Sequence, residues 1–129
     1  MKTRALTRPR QKISRALLVR SPFVERILAG RKTWEIRGSK TNVREKIGLI
    51  RSGSGRIVGT CEIIGVIGPL SLAELRRNAH KIGARADEIT KRPYATTYAW
   101  VIKNAKPLRR PISYRHPSGA IRWVKLGHH

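Results

Sequence analysis

The sequence predicts a single α+β domain built on a small, twisted β-barrel, with two or three short helices packed against it. Short apolar runs typical of strands recur along the 129 residues, and helical patterns are confined to brief stretches between groups of strands. The longest predicted strand contains Gly59 and Gly65, and glycines inside a strand produce the bulges that let a sheet close on itself. Strands grouped around inserted helices indicate the α+β class.

The first predicted elements are a strand and a helix. The apolar run Ala16–Val19 suits a buried strand, and a helix is predicted over residues 22–29. Ser21 is the expected N-cap, Pro22 the first helical residue and Gly30 the left-handed stop. Serine oxygens cap free N–H groups, proline fits the first turn and glycine tolerates a positive φ. The helix therefore ends where the charged segment begins.

A β-hairpin forms the middle of the chain. Residues 47–51 and 56–67 are rich in aliphatic side chains, which predicts two strands. The four residues 52–55 are serines and glycines, and glycine supplies the positive φ values of tight hairpin turns. We therefore expect the two strands to be antiparallel neighbours.

A second helix is predicted after the hairpin. Ser71 and Glu74 have the spacing of a capping box, in which each side chain satisfies a free backbone N–H at the helix start. Apolar residues on one face continue this helix to Gly83. Residues 84–91 are expected to add a further helical turn or two.

The last part of the chain is predicted to return to the sheet. Residues 94–103 alternate as a strand does, and residues 104–107 are expected to turn the chain. Proline at the end of residues 109–111 favours an edge of the sheet. A second turn is predicted at 116–119 and a final strand at 121–126.

The net charge favours a nucleic-acid partner. The chain has 29 Lys and Arg residues against 7 Asp and Glu, a net charge of +22, which repels itself in a compact fold unless a polyanion is near. Much of the excess is arginine, which forks onto phosphates and stacks on bases. We expect RNA, with single strands favoured and DNA still open. A membrane surface is less favoured because no long amphipathic helix is present.

The chain divides into a basic, flexible arm (residues 1–15), one domain (16–126) and a short tail (127–129). No apolar run approaches the roughly 18 residues of a membrane span, and no signal-peptide core opens the chain. A single cysteine excludes an internal disulfide. These features predict a cytoplasmic protein.

The cysteine and histidines do not predict a metal site. Cys61 lies in an apolar strand and is expected in the core. His80 falls on a helix, His116 in a turn, and two more histidines end the chain at 128–129. Metal sites need clustered ligands, so we expect no metal and no cofactor.

The segment Gly30–Gly38 concentrates charge between two glycines. On a strand, side chains two residues apart share a face, so Glu35 and Arg37 should point the same way. Trp34 and Ile36 should point the opposite way, into a core. A charged face backed by an apolar face is what a binding site on the rim of a sheet needs.

Lys32 has the opposite strand parity from Glu35, and the two converge only if the segment is bulged or Lys32 still belongs to the turn after Gly30. Glu35 and Arg37 could form a simple exposed ion pair, which contributes little. Alternatively, Arg37 binds a phosphate or a base edge. A third reading makes Lys32 and Glu35 catalytic groups that transfer protons, as RNA cleavage through the 2′-hydroxyl requires.

Further candidates for nucleic-acid binding lie around this segment. Arg20, Arg76 and Arg77 are candidates for contacts with backbone phosphates. Trp34 and Tyr98 are candidates for stacking on bases if they are exposed, and core residues if they are not.

Gly30, Lys32, Glu35 and Arg37 fit the G-x-K-x-x-E-x-R motif of the ASCH domain family, whose members resemble the RNA-binding PUA fold. The order of predicted elements over residues 16–126 is also similar to that family. The resemblance implies a PUA-like β-barrel with a cleft between barrel and helices. The motif residues would line this cleft as a site for RNA or a nucleotide.

The resemblance also implies a choice of functions. Family members are proposed to act in RNA metabolism, and some are enzymes, either ribonucleases or amidohydrolases that act on acetylated cytidine. The amidohydrolases keep a nucleophilic threonine three residues after the motif lysine, and here Glu35 occupies that position. The resemblance therefore favours an RNA-binding domain, with a ribonuclease as the alternative and a ribosome- or protein-associated adaptor as a further one.

Overall fold

The computed structural model describes residues 13–126, which form one sheet of six strands with short helices. Most of the predicted arm (residues 1–12) and the tail (127–129) lie outside the described residues. The strands are β1 (Arg15–Val19), β2 (Trp34–Arg37), β3 (Lys46–Arg51), β4 (Arg56–Ile67), β5 (Tyr98–Ser113) and β6 (Trp123–Lys125). The helices are α1 (Phe23–Leu28), α2 (Leu72–Arg77), α3 (Ala79–Ile82) and a 3₁₀ turn at Ala86–Glu88.

The sheet is strongly curled. Its strand order is β2-β5-β4-β3-β1-β6, in which only β1 and β3 are parallel neighbours. Side chains nevertheless connect distant strands: Arg37 on β2 donates from Nη2 to the Leu18 carbonyl oxygen on β1 at 2.8 Å. The rings of Trp100 on β5 and Trp123 on β6 stack with their centroids 5.8 Å apart. The result is a half-barrel, which confirms the predicted α+β, PUA-like fold class.

Glycines bend β4 as predicted. The pairing of β4 with β5 shifts register next to Gly59 and next to Gly65. A Cβ atom at Gly59 would collide with the Leu28 side chain and lie 2.7 Å from the Lys106 carbonyl oxygen. Gly59 therefore allows α1 to pack directly on the sheet.

The predicted turn at residues 104–107 is wrong, because β5 continues through it to Ser113. Asn104 has a positive φ of 55°, a conformation that asparagine tolerates better than most residues. The pairing of β5 with β4 shifts register at this point, so β5 bends but does not reverse its direction. Among the strands of residues 13–126, β5 pairs beyond Val101 with β4 alone, so Pro111 lies on a strand edge as predicted.

The start of α1 also differs from the prediction. Pro22 occupies the N-cap position, and no side chain caps the helix. Ser21 instead donates from Oγ to the Glu25 carboxylate at 2.9 Å. That carboxylate also accepts from Arg51 at 2.8 Å, which lowers the pKa of Glu25. Gly30 has the predicted left-handed conformation, with φ of 79°.

The second helical region is broken where one helix was predicted. The Ser71–Glu74 capping box is present, but Asn78 interrupts the helix and divides it into α2 and α3. The Asn78 side-chain amide donates to the Glu74 carbonyl oxygen at 2.8 Å, and this local bond competes with the helical pattern. Gly83 ends α3 as predicted, with φ of 80°. Within residues 13–126, no helix is long and apolar enough to cross a membrane.

Chemical labelling of Cys61 tests whether this strand residue is buried in the core. Its thiol is fully buried, and burial raises the pKa to about 12. Only the thiolate reacts with disulfide reagents, so the native protein at about pH 8 should resist labelling for many minutes. Because Cys61 is the only cysteine, protein unfolded in urea should react at once at this site alone. Rapid labelling of the native protein would contradict the buried position.

Candidate functional site

Lys32 lies beside Glu35 because of the turn that precedes β2. The left-handed Gly30 turns the chain, and the Lys32 side chain then folds back under the strand. Its Nζ donates to the carbonyl oxygens of Trp34 at 2.7 Å and Ile82 at 3.1 Å. The same atom lies 3.8 Å from Glu35 Oε1. The convergence expected for a lysine in the turn is therefore confirmed.

Glu35 joins Lys32 to Arg37. Its Oε2 atom accepts from Arg37 Nε at 2.8 Å, and the Arg37 guanidinium lies over the Trp100 ring at 5.5 Å. Lys32 and Glu35 are both buried, so this is not the exposed surface pair considered above. Two cations and one carboxylate leave a net positive charge at this point.

Burial affects the protonation of Lys32. Removal of the ammonium group from water lowers the pKa of Lys32, while the Glu35 carboxylate opposes that shift. The neighbouring guanidinium groups of Arg26 and Arg37 lower the pKa further. The two carbonyl acceptors on Nζ favour the ammonium form, because a hydrogen bond from a charged donor is stronger than one from a neutral amine.

A cavity of about 500 Å³ opens above these side chains. Its charged floor is formed by Lys32, Glu35 and Arg37. Three large apolar side chains at its rim are unusually exposed: Phe23 at 38%, Tyr94 at 44% and Ile121 at 87%. The remaining lining residues are Leu18, Val19, Arg20, Ile36, Ser52, Ile82 and Pro93. The cavity thus combines cationic donors, a carboxylate acceptor and an apolar rim.

Of the other predicted site residues, one lies at the cavity and four lie away from it. Arg20 is exposed and lines the cavity. Trp34 is buried in a core cluster behind β2, and Tyr98 packs partly against the main core. Arg76 and Arg77 are exposed on α2. None of these last four lines the cavity.

Sequence reasoning missed the three rim residues. The sequence patterns place Phe23 in the predicted helix over residues 22–29, Tyr94 in the strand over 94–103 and Ile121 in the strand over 121–126. In the structure they come from α1, the loop before β5 and the loop before β6, and meet only because the sheet curls. A bulky apolar residue beside a turn proline, as in Pro93-Tyr94, was the one signal available.

The chemistry of the cavity suits an anionic or hydrogen-bonding ligand. Across residues 13–126, no group of three or more His, Cys, Asp or Glu side chains is arranged to hold a metal ion. The available groups are guanidinium donors and one carboxylate, and the Lys32 ammonium adds positive charge. Such a set binds phosphate oxygens and the polar edges of bases.

The fold and the cavity define a small PUA-like α+β domain with a cavity that has a basic floor. The sequence model of the ASCH domain matches residues 17–112, and the chain belongs to the ASCH domain family. None of the curated proteins compared with the chain matches it.

Solved structures of one bacterial ASCH protein share the fold. ASCH from Zymomonas mobilis aligns with a TM-score of 0.66 at 14% identity, covering 88% of this chain and 87% of that one. A variant of it in which phenylalanine replaces a tyrosine aligns at 0.65 and 15% identity, covering 90% and 91%. A variant in which alanine replaces a serine also gives 0.65 at 15% identity, covering 88% and 87%. At these identities the likeness concerns the fold.

Proposed function

We propose that this chain is an RNA-binding ASCH domain that acts in RNA metabolism and holds one nucleotide of single-stranded RNA in the cavity. The observation that carries the proposal is the pairing of a cationic floor with an exposed apolar rim in one cavity of about 500 Å³. Ligand pockets of about 300–1,000 Å³ commonly combine apolar walls with a few placed polar groups. A nucleotide matches both parts of the cavity, because it has a negatively charged phosphate and an aromatic base.

Arg37 supports the assignment of the floor. Among the hydrogen bonds of residues 13–126, its Nε donates to Glu35 and its Nη2 donates to the Leu18 carbonyl oxygen. Nη1 remains for a ligand, in a guanidinium that Trp100 and these two bonds already hold in place. A fixed arginine loses little entropy when it binds a phosphate or a base edge.

Phe23 and Tyr94 support the assignment of the rim. Both rings are exposed beside the charged floor, where water would otherwise contact apolar surface. Stacking of a base on such a ring contributes about 1–3 kcal/mol per base and tolerates any sequence. The net charge of +22 would attract the polyanion to this site.

The geometry of Lys32 supports binding over proton transfer. Nζ donates to two backbone carbonyl oxygens and lies 3.8 Å from the Glu35 carboxylate, so loss of its proton would turn a lone pair toward a negative charge rather than toward a substrate. A general base needs a free lone pair directed at the substrate. We therefore assign Lys32 to the support of Glu35 and Arg37, and rank the ribonuclease second.

The proposal predicts that Tyr94→Ala and Phe23→Ala each weaken binding of a labelled single-stranded RNA by about tenfold, through lost stacking. Fluorescence anisotropy at several salt concentrations measures this. The logarithm of the affinity of the unaltered protein should fall by about 0.7 per phosphate contact per decade of salt. Ile64→Ala is a matched control, because Ile64 is 49% exposed and outside the cavity.

The same samples test the alternatives. Gel analysis should find the RNA intact, whereas cleavage that is lost in Glu35→Gln would support the ribonuclease. A single-stranded DNA of the same sequence shows whether the 2′-hydroxyl contributes. Absence of binding at low salt would overturn the proposal and favour an adaptor that binds a protein or a ribosome.

A further inference from the structure

A second depression lies on the other side of the turn that carries Lys32. Its volume is about 490 Å³, and the charged or titratable side chains that line it are those of Arg26, Arg31, His80, Arg85 and Glu88. None of these five residues lines the first cavity, and none belongs to the function proposed above. The depression is therefore a separate basic surface next to the candidate RNA site.

A narrow wall, formed by the turn that carries Arg31 and Lys32, separates the depression from the first cavity. The backbone N–H groups of Arg31 and Lys32 both donate to the Arg26 carbonyl oxygen, at 2.9 and 3.1 Å. Lys32 Nζ donates to the Ile82 carbonyl oxygen at 3.1 Å. Arg26 Nη1 donates to the Gly83 carbonyl oxygen at 3.0 Å. These bonds hold the end of α1 against the end of α3.

Consecutive residues of the wall line different sites. Arg31 lines the depression and Lys32 lines the cavity, so the turn before β2 directs these two consecutive side chains to opposite sides. Gly30 also lines the depression, and a Cβ atom added there would meet nothing within 4 Å. The floor beside Arg31 is thus open to a ligand.

The surplus charge of the depression comes from Arg26 and Arg31. The Arg85 guanidinium is paired with Asp87 at 2.6 Å, and Glu88 Oε1 accepts from the Arg85 backbone N–H at 2.8 Å. Within residues 13–126, the side chain of Arg31 has no hydrogen-bond or ion-pair partner and is exposed. An exposed arginine with free donors beside a second guanidinium binds phosphate oxygens readily.

We propose that this depression binds a backbone phosphate adjacent to the nucleotide held in the first cavity, so that one RNA strand crosses the wall. The inference rests on the proposed function, since it assigns the second phosphate contact of the same ligand. It makes the minimal ligand a dinucleotide. A mononucleotide would fill the cavity and leave Arg31 without a partner.

The test compares two probes on the full chain, a short single-stranded RNA oligonucleotide and a nucleoside 5′-monophosphate. Arg31→Ala is expected to weaken oligonucleotide binding by about five- to tenfold and to reduce the salt slope by about 0.7. Binding of the monophosphate should not change. Glu88→Gln removes a carboxylate beside the phosphate and should strengthen oligonucleotide binding. Arg109→Ala, which removes an exposed arginine outside both sites, should have a smaller effect than Arg31→Ala.

Other outcomes overturn the inference in ways that can be told apart. If the oligonucleotide binds but Arg31→Ala changes neither affinity nor salt slope, the second site is excluded and the first stands. If Arg31→Ala weakens the monophosphate equally, Arg31 acts on the first cavity and the crossing strand is excluded. If the unaltered protein binds neither probe, the proposed function fails and this inference fails with it.

Discussion

Trp100→Ala is expected to lower the free energy of unfolding by about 3–5 kcal/mol, which is a large share of the roughly 5–15 kcal/mol that stabilises a typical domain. Trp100 is fully buried, and truncation leaves a cavity that the curled sheet cannot readily fill. Its ring also joins strands that are not neighbours in the sheet, through the stack on Trp123 at 5.8 Å. The loss therefore affects closure of the half-barrel as well as its core.

The indole N–H of Trp100 adds a hydrogen bond to the stability of the fold. It donates to the Ser39 carbonyl oxygen at 2.8 Å, and the Arg37 guanidinium lies over the ring. Trp100→Phe keeps most of the apolar volume and removes the donor, so we expect a smaller loss of about 1–3 kcal/mol. Both variants should also loosen Arg37 and weaken RNA binding.

Urea unfolding followed by circular dichroism measures these effects. Tyr94→Ala is the control, because it removes an exposed aromatic ring and should change stability by less than about 0.5 kcal/mol. A double-mutant cycle with Trp123→Ala should give a coupling of about 0.5–1.5 kcal/mol for the stacked pair. A loss below about 1 kcal/mol for Trp100→Ala would mean that the ring is not a closing element.

Local patterns predicted the elements that depend on short-range chemistry. The Ser71–Glu74 capping box joins neighbours along the chain, and the bends of β4 are marked by the residue type glycine alone; both are present. The shared face of Glu35 and Arg37 follows from strand periodicity alone. These features need no knowledge of which strands meet.

Features that depend on tertiary packing could not be predicted in the same way. Asn104 sits among turn-forming residues, yet β4 pairs with the chain on both sides of it and keeps it in a strand. Tyr94 and Ile121 reach the cavity from separate loops, because the sheet curls them together. Both cases are decided by contacts between residues far apart in sequence.

Lys32→Met is expected to lower the free energy of unfolding by about 3 kcal/mol. Methionine has a similar length but no charge and no donor, so the carbonyl oxygens of Trp34 and Ile82 lose their partner. Glu35 would keep only Arg37 to balance its buried charge. The larger part of the cost comes from the two carbonyl oxygens, because a buried acceptor left without a donor costs about 1–3 kcal/mol.

The double variant Lys32→Met/Glu35→Gln separates these contributions. It removes both charges, so it should be destabilised by less than the sum of the two single variants, with a coupling of about 1–3 kcal/mol. Lys91→Met is a matched control, because Lys91 is exposed and its loss should cost less than about 0.5 kcal/mol. Additive effects of the two single changes would show that Lys32 and Glu35 do not act as a pair.

The pH dependence of the same variants tests the burial of Lys32. Burial lowers its pKa in the folded state, so above that pKa the native protein binds fewer protons than the unfolded chain. Stability that depends on Lys32 therefore rises as the pH increases from the folded-state pKa toward the ordinary lysine value. Lys32→Met lacks this contribution, so the stability difference between the unaltered protein and the variant should widen with alkaline pH. A difference that narrows over that range would mean that Glu35 and the two carbonyl oxygens outweigh desolvation and hold the pKa above its ordinary value.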